Sequence, residues 1–276
     1  MGTMSYRRIL TIQDISCVGQ CSTTVALPIL SACGHETCIL PPALLSTHTG
    51  GFGKPEVVNL TANMDGIWRH WQRQGITFDA IYTGYLGSVE AVAATNEIID
   101  ALLAPEGVVI IDPAMADHGK MYSGLTKEYA EAMQQLCLRA DIMLPNITEA
   151  AMMAQMPYCE KPDEAYIREL LARLGGKNVV LTGVGFREGE TGAAMRQAGT
   201  VEFYFHPRLG ASYSGTGDIF ASAFTGAYLR GKTLAEAVQV ASNFTLQCIR
   251  NTVENPAHWY GVKFETALPY LMELLK

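Results

Sequence analysis

The stretch Gly215-Thr216-Gly217-Asp218 runs directly into Ile219-Phe220-Ala221-Ser222-Ala223-Phe224. Two glycines allow a tight turn and close approach of backbone to a ligand. The small and apolar residues after them suit a packed helix. The first amides of such a helix have no partner within it and attract anions. Asp218 would then set a carboxylate where those amides hold a phosphate, placed to take a proton from an attacking hydroxyl. The same four residues also fit an ordinary capping turn, with Thr216 or Asp218 as the cap. A second pattern is Asn146-Ile147-Thr148-Glu149. Its spacing puts Asn146 and Glu149 on one face if a helix begins there, and Asn146 also fits a cap.

Short apolar runs alternate with segments of helical period, and these must position such residues. Strands are expected at Ile9–Ile12, Cys38–Leu40, Ala80–Thr83, Val108–Ile111, Asp141–Leu144 and Val179–Thr182. Between them the spacing predicts helices over Thr23–Ala32 (with Pro28 inside), Val57–Gln74, Val89–Leu103, Thr126–Arg139, Ile147–Gln155 and Pro162–Leu174. In the second helix Leu60, Met64, Ile67, Trp68 and Trp71 fall on one face. Ala193–Arg196 and Val201–His206 read as an antiparallel pair around Gln197-Ala198-Gly199-Thr200, and the chain after Gly217 reads as helical. The alternation implies a mostly parallel sheet covered on both faces. Ligands of such sheets sit beyond the carboxyl ends of the strands. Polar residues and glycines gather there: Gln13-Asp14, Thr83-Gly84-Tyr85, Asp112-Pro113, Pro145-Asn146 and Thr182-Gly183. No linker or repeat divides the chain, so residues 1–276 read as a single domain.

A net charge of −7 without a basic cluster argues against a nucleic-acid surface. Apolar runs are too short to span a bilayer, and the start shows no secretory pattern. The seven cysteines are odd in number and lack a C-x-x-C spacing, and Cys17 and Cys21 have no nearby histidine to suggest zinc. They read as reduced thiols of a cytoplasmic protein. There is neither a G-x-x-x-x-G-K-[ST] loop nor a G-x-G-x-x-G after a strand. Gly50-Gly51-Phe52-Gly53-Lys54 reads as a mobile flap over a substrate, or as a plain loop.

Further short motifs stand in a fixed order: Ile12-Gln13, Ser46-Thr47-His48-Thr49-Gly50, Thr83-Gly84-Tyr85-Leu86-Gly87-Ser88, Asp112-Pro113 with Asp117, Gly119-Lys120-Met121-Tyr122, Leu144-Pro145-Asn146-Ile147-Thr148-Glu149 and Gly215-Thr216-Gly217-Asp218. In this order, from Ile9 to beyond Asp218, the chain resembles the pyridoxal kinases of the ribokinase-like superfamily. The resemblance implies a three-layer α/β/α fold with a mostly parallel central sheet and an antiparallel edge hairpin. It implies phosphorylation of the 5′-hydroxymethyl group of pyridoxal, pyridoxine or pyridoxamine, with ATP as co-substrate, Mg2+, room for a monovalent cation, and a homodimer. Asp218 is then the general base, a weak one at an ordinary pKa of roughly 3.9. The amides of Gly215, Thr216 and Gly217 form the anion hole. Asp112 and Glu149 lie near the cation, Glu149 partly through water. Asp117, Tyr122, Asn146 and Thr182 lie on the nucleotide side, and Asp14, Cys21, Thr49 and Tyr85 on the ring side.

The chain departs from the family pattern in two places. Asp14 stands where the family usually has serine, and an ionised carboxylate only accepts hydrogen bonds. It would favour a protonated ring nitrogen or an amine substituent. Val18-Gly19-Gln20-Cys21-Ser22 also differs from the usual glycine-and-asparagine pattern. Two other functions share these residues: a kinase for hydroxymethylpyrimidine or another small alcohol, and a vitamer-binding protein without catalysis.

Overall fold

The computed structural model describes residues 6–210, 213–255 and 257–276. In chain order the elements are β1 (Arg8–Ile12), β2 (Ile15–Ser16), α1 (Thr23–Ala32), β3 (Glu36–Ile39), β4 (Ala43–Leu45), β5 (Val57–Asn59), α2 (Thr61–Arg73), β6 (Phe78–Thr83) and α3 (Val89–Leu102). They continue with β7 (Leu103–Ile111), β8 (Ala116–Asp117), β9 (Lys120–Met121), α4 (Lys127–Cys137), β10 (Ile142–Met143), α5 (Ile147–Met153) and α6 (Glu164–Arg173). The chain ends with β11 (Asn178–Val184), β12 (Glu190–Gln197), β13 (Thr200–Pro207), α7 (Thr216–Leu229), α8 (Leu234–Val253), a 3-10 turn at Phe264–Ala267 and α9 (Leu268–Leu274).

Eight strands form the central sheet in the order β13-β12-β11-β10-β7-β6-β1-β3. From β11 to β3 neighbours run parallel, and β12 and β13 are antiparallel at one edge. Strand residues alternate between two cores because successive side chains leave opposite faces. Leu10, Ile12, Ile81, Val109, Ile111 and Val179 join the core that includes residues of α2 to α6. Ile9, Ala80, Tyr82, Ile110, Ile142 and Val180 join the one that includes residues of α1, α7, α8 and α9. The expected three layers and the edge hairpin are both present.

One predicted helix is shorter than its pattern. Val57–Asn59 is a strand, and the helix starts only at Thr61. Val57 and Val58 are β-branched, and they pair antiparallel with β4, which itself lies beside β2. Within α2, Met64 and Trp68 are buried, whereas Ile67 is 39% exposed and leaves the buried face. Pro28 is accommodated inside α1.

Candidate active site

Backbone bonds carry the sheet's register past the strand ends. Asp14 N–H donates to the Tyr85 carbonyl at 3.2 Å, Asp112 N–H to Thr83 at 3.0 Å, and Thr182 N–H to Pro145 at 2.9 Å. These bonds fix the polar residues that follow β1, β6, β7, β10 and β11 along one edge. The start of α7 closes the other side. Between them lies a cavity of about 560 Å³, and all fourteen site residues expected from the sequence line it.

The turn before α7 is not a side-chain cap. Gly215 takes the left-handed conformation (φ 80°, ψ −1°), and no side chain caps the helix. Thr216 Oγ1 instead donates to the Tyr213 carbonyl at 3.1 Å. The first helical bond runs from Ile219 N–H to the Gly215 carbonyl, leaving the amides of Thr216, Gly217 and Asp218 outside the helical ladder. By contrast, Ser88, Thr126, Asn146, Asp163 and Thr233 cap α3, α4, α5, α6 and α8 with their side chains. Gly215 is required sterically as well. A Cβ there would lie 1.9 Å from the Gln20 carbonyl oxygen, so the turn presses directly on the loop before α1.

Asp218 differs from the weak base anticipated at an ordinary carboxyl pKa. Burial raises its pKa, and repulsion from Asp14 adds to this. The backbone N–H of Ser22 and the thiol of Cys21 oppose the rise, and the result is about 7. A base poised near neutrality is well matched to accepting a hydroxyl proton. Cys21 is a neutral thiol here, its pKa driven upward by burial and by the charges of Asp218 and Asp14.

Of the residues expected on the ring side, Asp14 is buried at 3% exposure and accepts from Ser16 Oγ at 3.1 Å. Burial raises its pKa, and the hydroxyls of Ser22 and Ser16 hold the rise back. Tyr85 is partly buried at the cavity wall, and Thr49 is exposed just ahead of the Gly50–Lys54 flap expected from the sequence. The flap packs through Phe52 against His48 and Trp259, with ring centroids 5.0 and 4.8 Å apart.

Across the cavity, Asn146 and Glu149 form a reciprocal capping box at the start of α5. Glu149 Oε1 accepts from Met115 N–H at 2.8 Å and Ala116 N–H at 3.4 Å, and Oε2 from Asn146 N–H at 2.9 Å. The Asn146 side-chain amide donates to the Ala116 carbonyl at 2.7 Å. Asp112 accepts from Ala114 N–H at 3.1 Å. Burial raises the pKa of both carboxyls; the charges of Glu149 and Asp218 push Asp112 further up, and backbone amides restrain Glu149. Among the described residues no group of three or more His, Cys, Asp or Glu forms a metal cage. Asp112 and Glu149 instead suit a hard cation that keeps waters and takes its other ligands from a bound phosphate.

Asp117, Tyr122 and Thr182, expected on the nucleotide side with Asn146, are held more loosely than Asn146 itself. Asp117 accepts from the His118 amide at 2.8 Å, and its carboxylate lies 3.5 Å from the His118 ring. Tyr122 is 40% exposed, and Thr182 Oγ1 reaches the Pro145 carbonyl at 3.4 Å. Two of the cavity residues without a role in the sequence reading stand out by their geometry. Ser22 is held at φ 54°, ψ −130°, a conformation that L-residues rarely adopt and that costs about 1–3 kcal/mol. His48 is the second. Both lie inside stretches singled out above, but their roles depend on contacts with residues far along the chain.

The model of the phosphomethylpyrimidine kinase family matches residues 70–262. The chain belongs to that family. A pyridoxal kinase from Lactobacillus plantarum is 34% identical, with 98% of each chain covered and a TM-score of 0.89. A putative phosphomethylpyrimidine kinase from Bacteroides thetaiotaomicron, crystallised with pyridoxal, is 32% identical over 97% of this chain and 96% of its own, with a TM-score of 0.91. The pyridoxine/pyridoxal/pyridoxamine kinase of Bordetella avium is 29% identical over 88% of this chain and 85% of its own length. The resemblance read from the ordered motifs is thereby borne out.

Proposed function

We propose that this chain is an ATP-dependent kinase for the 5′-hydroxymethyl group of B6 vitamers. The observation that carries this reading is a carboxyl titrating near neutrality beside an uncapped helix start, both facing one cavity. The vitamer hydroxyl would lie against Asp218. As its oxygen attacks the γ-phosphorus, its proton passes to Asp218, the bond to the β–γ bridging oxygen breaks, and ADP leaves. The amides of Gly215, Thr216 and Gly217 would face the transferring group, and one fixed donor of this kind is worth roughly 3–4 kcal/mol in a transition state. Asp112 and Glu149 would hold Mg2+, Glu149 through water because amides already engage its oxygens. Mg2+ would supply charge neutralisation between the phosphates. A monovalent cation would have a supporting role there.

Asp117, Tyr122, Asn146 and Thr182 form the nucleotide side in this reading. Asp14, Cys21, Thr49 and Tyr85 form the ring side. The related proteins named for pyridoxal and pyridoxine, and the neighbour crystallised with pyridoxal, support a pyridine substrate. The family's description favours a second reading, phosphorylation of hydroxymethylpyrimidine. A vitamer carrier without catalysis would not require a base near neutrality.

We read residues 1–276 as one kinase domain that works as a homodimer. Val57 and Val58, exposed on the edge of the small sheet, would offer an apolar surface for such a contact. Seven free cysteines suit the reducing cytoplasm. No described helix is long and apolar enough to cross a membrane.

ADP release with Mg2+ and each of pyridoxal, pyridoxine, pyridoxamine and hydroxymethylpyrimidine tests the assignment. Turnover with at least one B6 vitamer is expected. Turnover with the pyrimidine alone would move the chain to the second reading, and none at all would leave the carrier.

A further inference from the structure

The His48 ring is buried at 4% exposure. Its Nε2 lies 2.7 Å from the Tyr260 carbonyl oxygen, and Gly50 N–H points at Nδ1 at 2.9 Å. A carbonyl oxygen only accepts and an amide N–H only donates. The ring is therefore the neutral tautomer with its proton on Nε2. Its backbone N–H donates to the Val18 carbonyl at 3.2 Å. A Cβ on Gly19 would lie 2.1 Å from Cδ2, so the loop before α1 fits closely against the ring. Phe52 packs on another edge and rests in turn on Trp259 and Tyr260. Three segments thus meet at one imidazole: residues 49–54, with Thr49 and the flap after it, the loop before α1, and the loop after α8. The first two supply Thr49, Cys21 and Ser22 to the cavity wall.

We infer that His48 is a positioning residue for the vitamer: bonded through both ring nitrogens, it pins Gly50, at the start of the flap and next to Thr49, to the loop that carries Tyr260. This rests on the kinase reading above, because Thr49 is placed there on the ring side. His48 takes no proton from the substrate. It keeps the wall in the binding shape, so its loss lowers vitamer affinity more than the rate of the chemical step. The nucleotide side, with Asp117, Asn146 and Thr182, has no bond to this ring.

His48→Phe keeps the ring's bulk and removes both bonds. His48→Gln offers one acceptor and one donor at a similar separation. The Phe variant is expected to raise KM for the vitamer about tenfold or more, as for the loss of one or two hydrogen bonds. KM for ATP should stay within about twofold, kcat should fall less than KM rises, and Gln should recover part of the loss. Parallel losses in both substrates, or Gln no better than Phe, would overturn the inference. Limited chymotrypsin cleavage after Phe52, followed by mass spectrometry, needs no substrate. Faster cutting in the Phe variant at equal global stability supports the latch, and unchanged cutting refutes it. If wild type phosphorylates no vitamer, the functional reading fails, while the cleavage result still decides the latch.

Discussion

Acidic side chains at the two ends of the central sheet are satisfied in different ways. At the amino ends, Glu36 meets Arg8 at 3.0 Å, and Asp141 meets Lys177 at 2.6 Å and the Val109 amide at 2.8 Å. Asp79 lies 3.7 Å from Arg7 and accepts from the Arg8 amide at 2.8 Å. At the carboxyl ends, Asp14, Asp112, Glu149 and Asp218 are held by hydroxyls, a thiol and backbone amides rather than by lysine or arginine among the described residues. One end completes its electrostatics within the protein. The other leaves carboxyls crowded together, each with its pKa raised by burial, and so asks for a proton or an incoming cation. Unmet charge in a cavity separates a working site from a structural edge.

The sharpest way to break this contrast is to remove the base. Asp218→Asn should lower kcat about 10²–10⁴-fold while the vitamer still binds, read by turnover and by calorimetric titration. Turnover close to wild type would end the assignment of Asp218. A smaller effect is expected at Asp14. Asp14→Ser should shift kcat/KM between pyridoxamine and pyridoxine by about tenfold toward pyridoxine, since a carboxylate favours a cationic or donor partner and a hydroxyl does not. Unchanged ratios across the vitamers would remove its role in selection.

Stability should respond in opposite senses at the two ends. The carboxyls of Asp112, Glu149 and Asp218 titrate higher folded than unfolded, so the folded state holds their protons more tightly. Their contribution is greatest below the unfolded carboxyl range near pH 4 and declines as pH rises through about 7, the value for Asp218. Asp112→Asn should therefore raise the melting temperature at pH 8 by roughly 2–4 °C or more, and by less at pH 5. A gain independent of pH would contradict the electrostatic account. At the opposite end, Asp141→Ala should cost about 1 kcal/mol by denaturant titration and leave kcat/KM within about twofold. A comparable loss of activity would show that the two ends are not separable.

Much of this division was legible before the structure. Buried parallel strands read as apolar runs, and the polar residues just past them marked the cavity edge. Val57–Asn59 was misread because its partner strand lies more than ten residues earlier, and Val57-Val58 fits a helical period as well as a pleat. Whether Gly215–Asp218 was a cap also stayed open, since the answer is the Thr216 hydroxyl turning to Tyr213. The basicity of Asp218 lay out of reach for a related reason. It is set by burial and by Asp14, Cys21 and Ser22, about two hundred residues earlier in the chain.

The contact between Gly215 and the Gln20 carbonyl has a consequence for altering this enzyme. In the proposed reading, the strip of chain beside the ring and the turn beside the phosphoryl group therefore pack directly on one another. Reshaping residues 20–22 to admit a bulkier heterocycle would shift the amides of the turn at the same time. New substrates are therefore more readily accommodated from the Tyr85 side, since next to Thr49 a Cβ on Gly50 would lie 2.6 Å from Ser214 Oγ, beside the same turn.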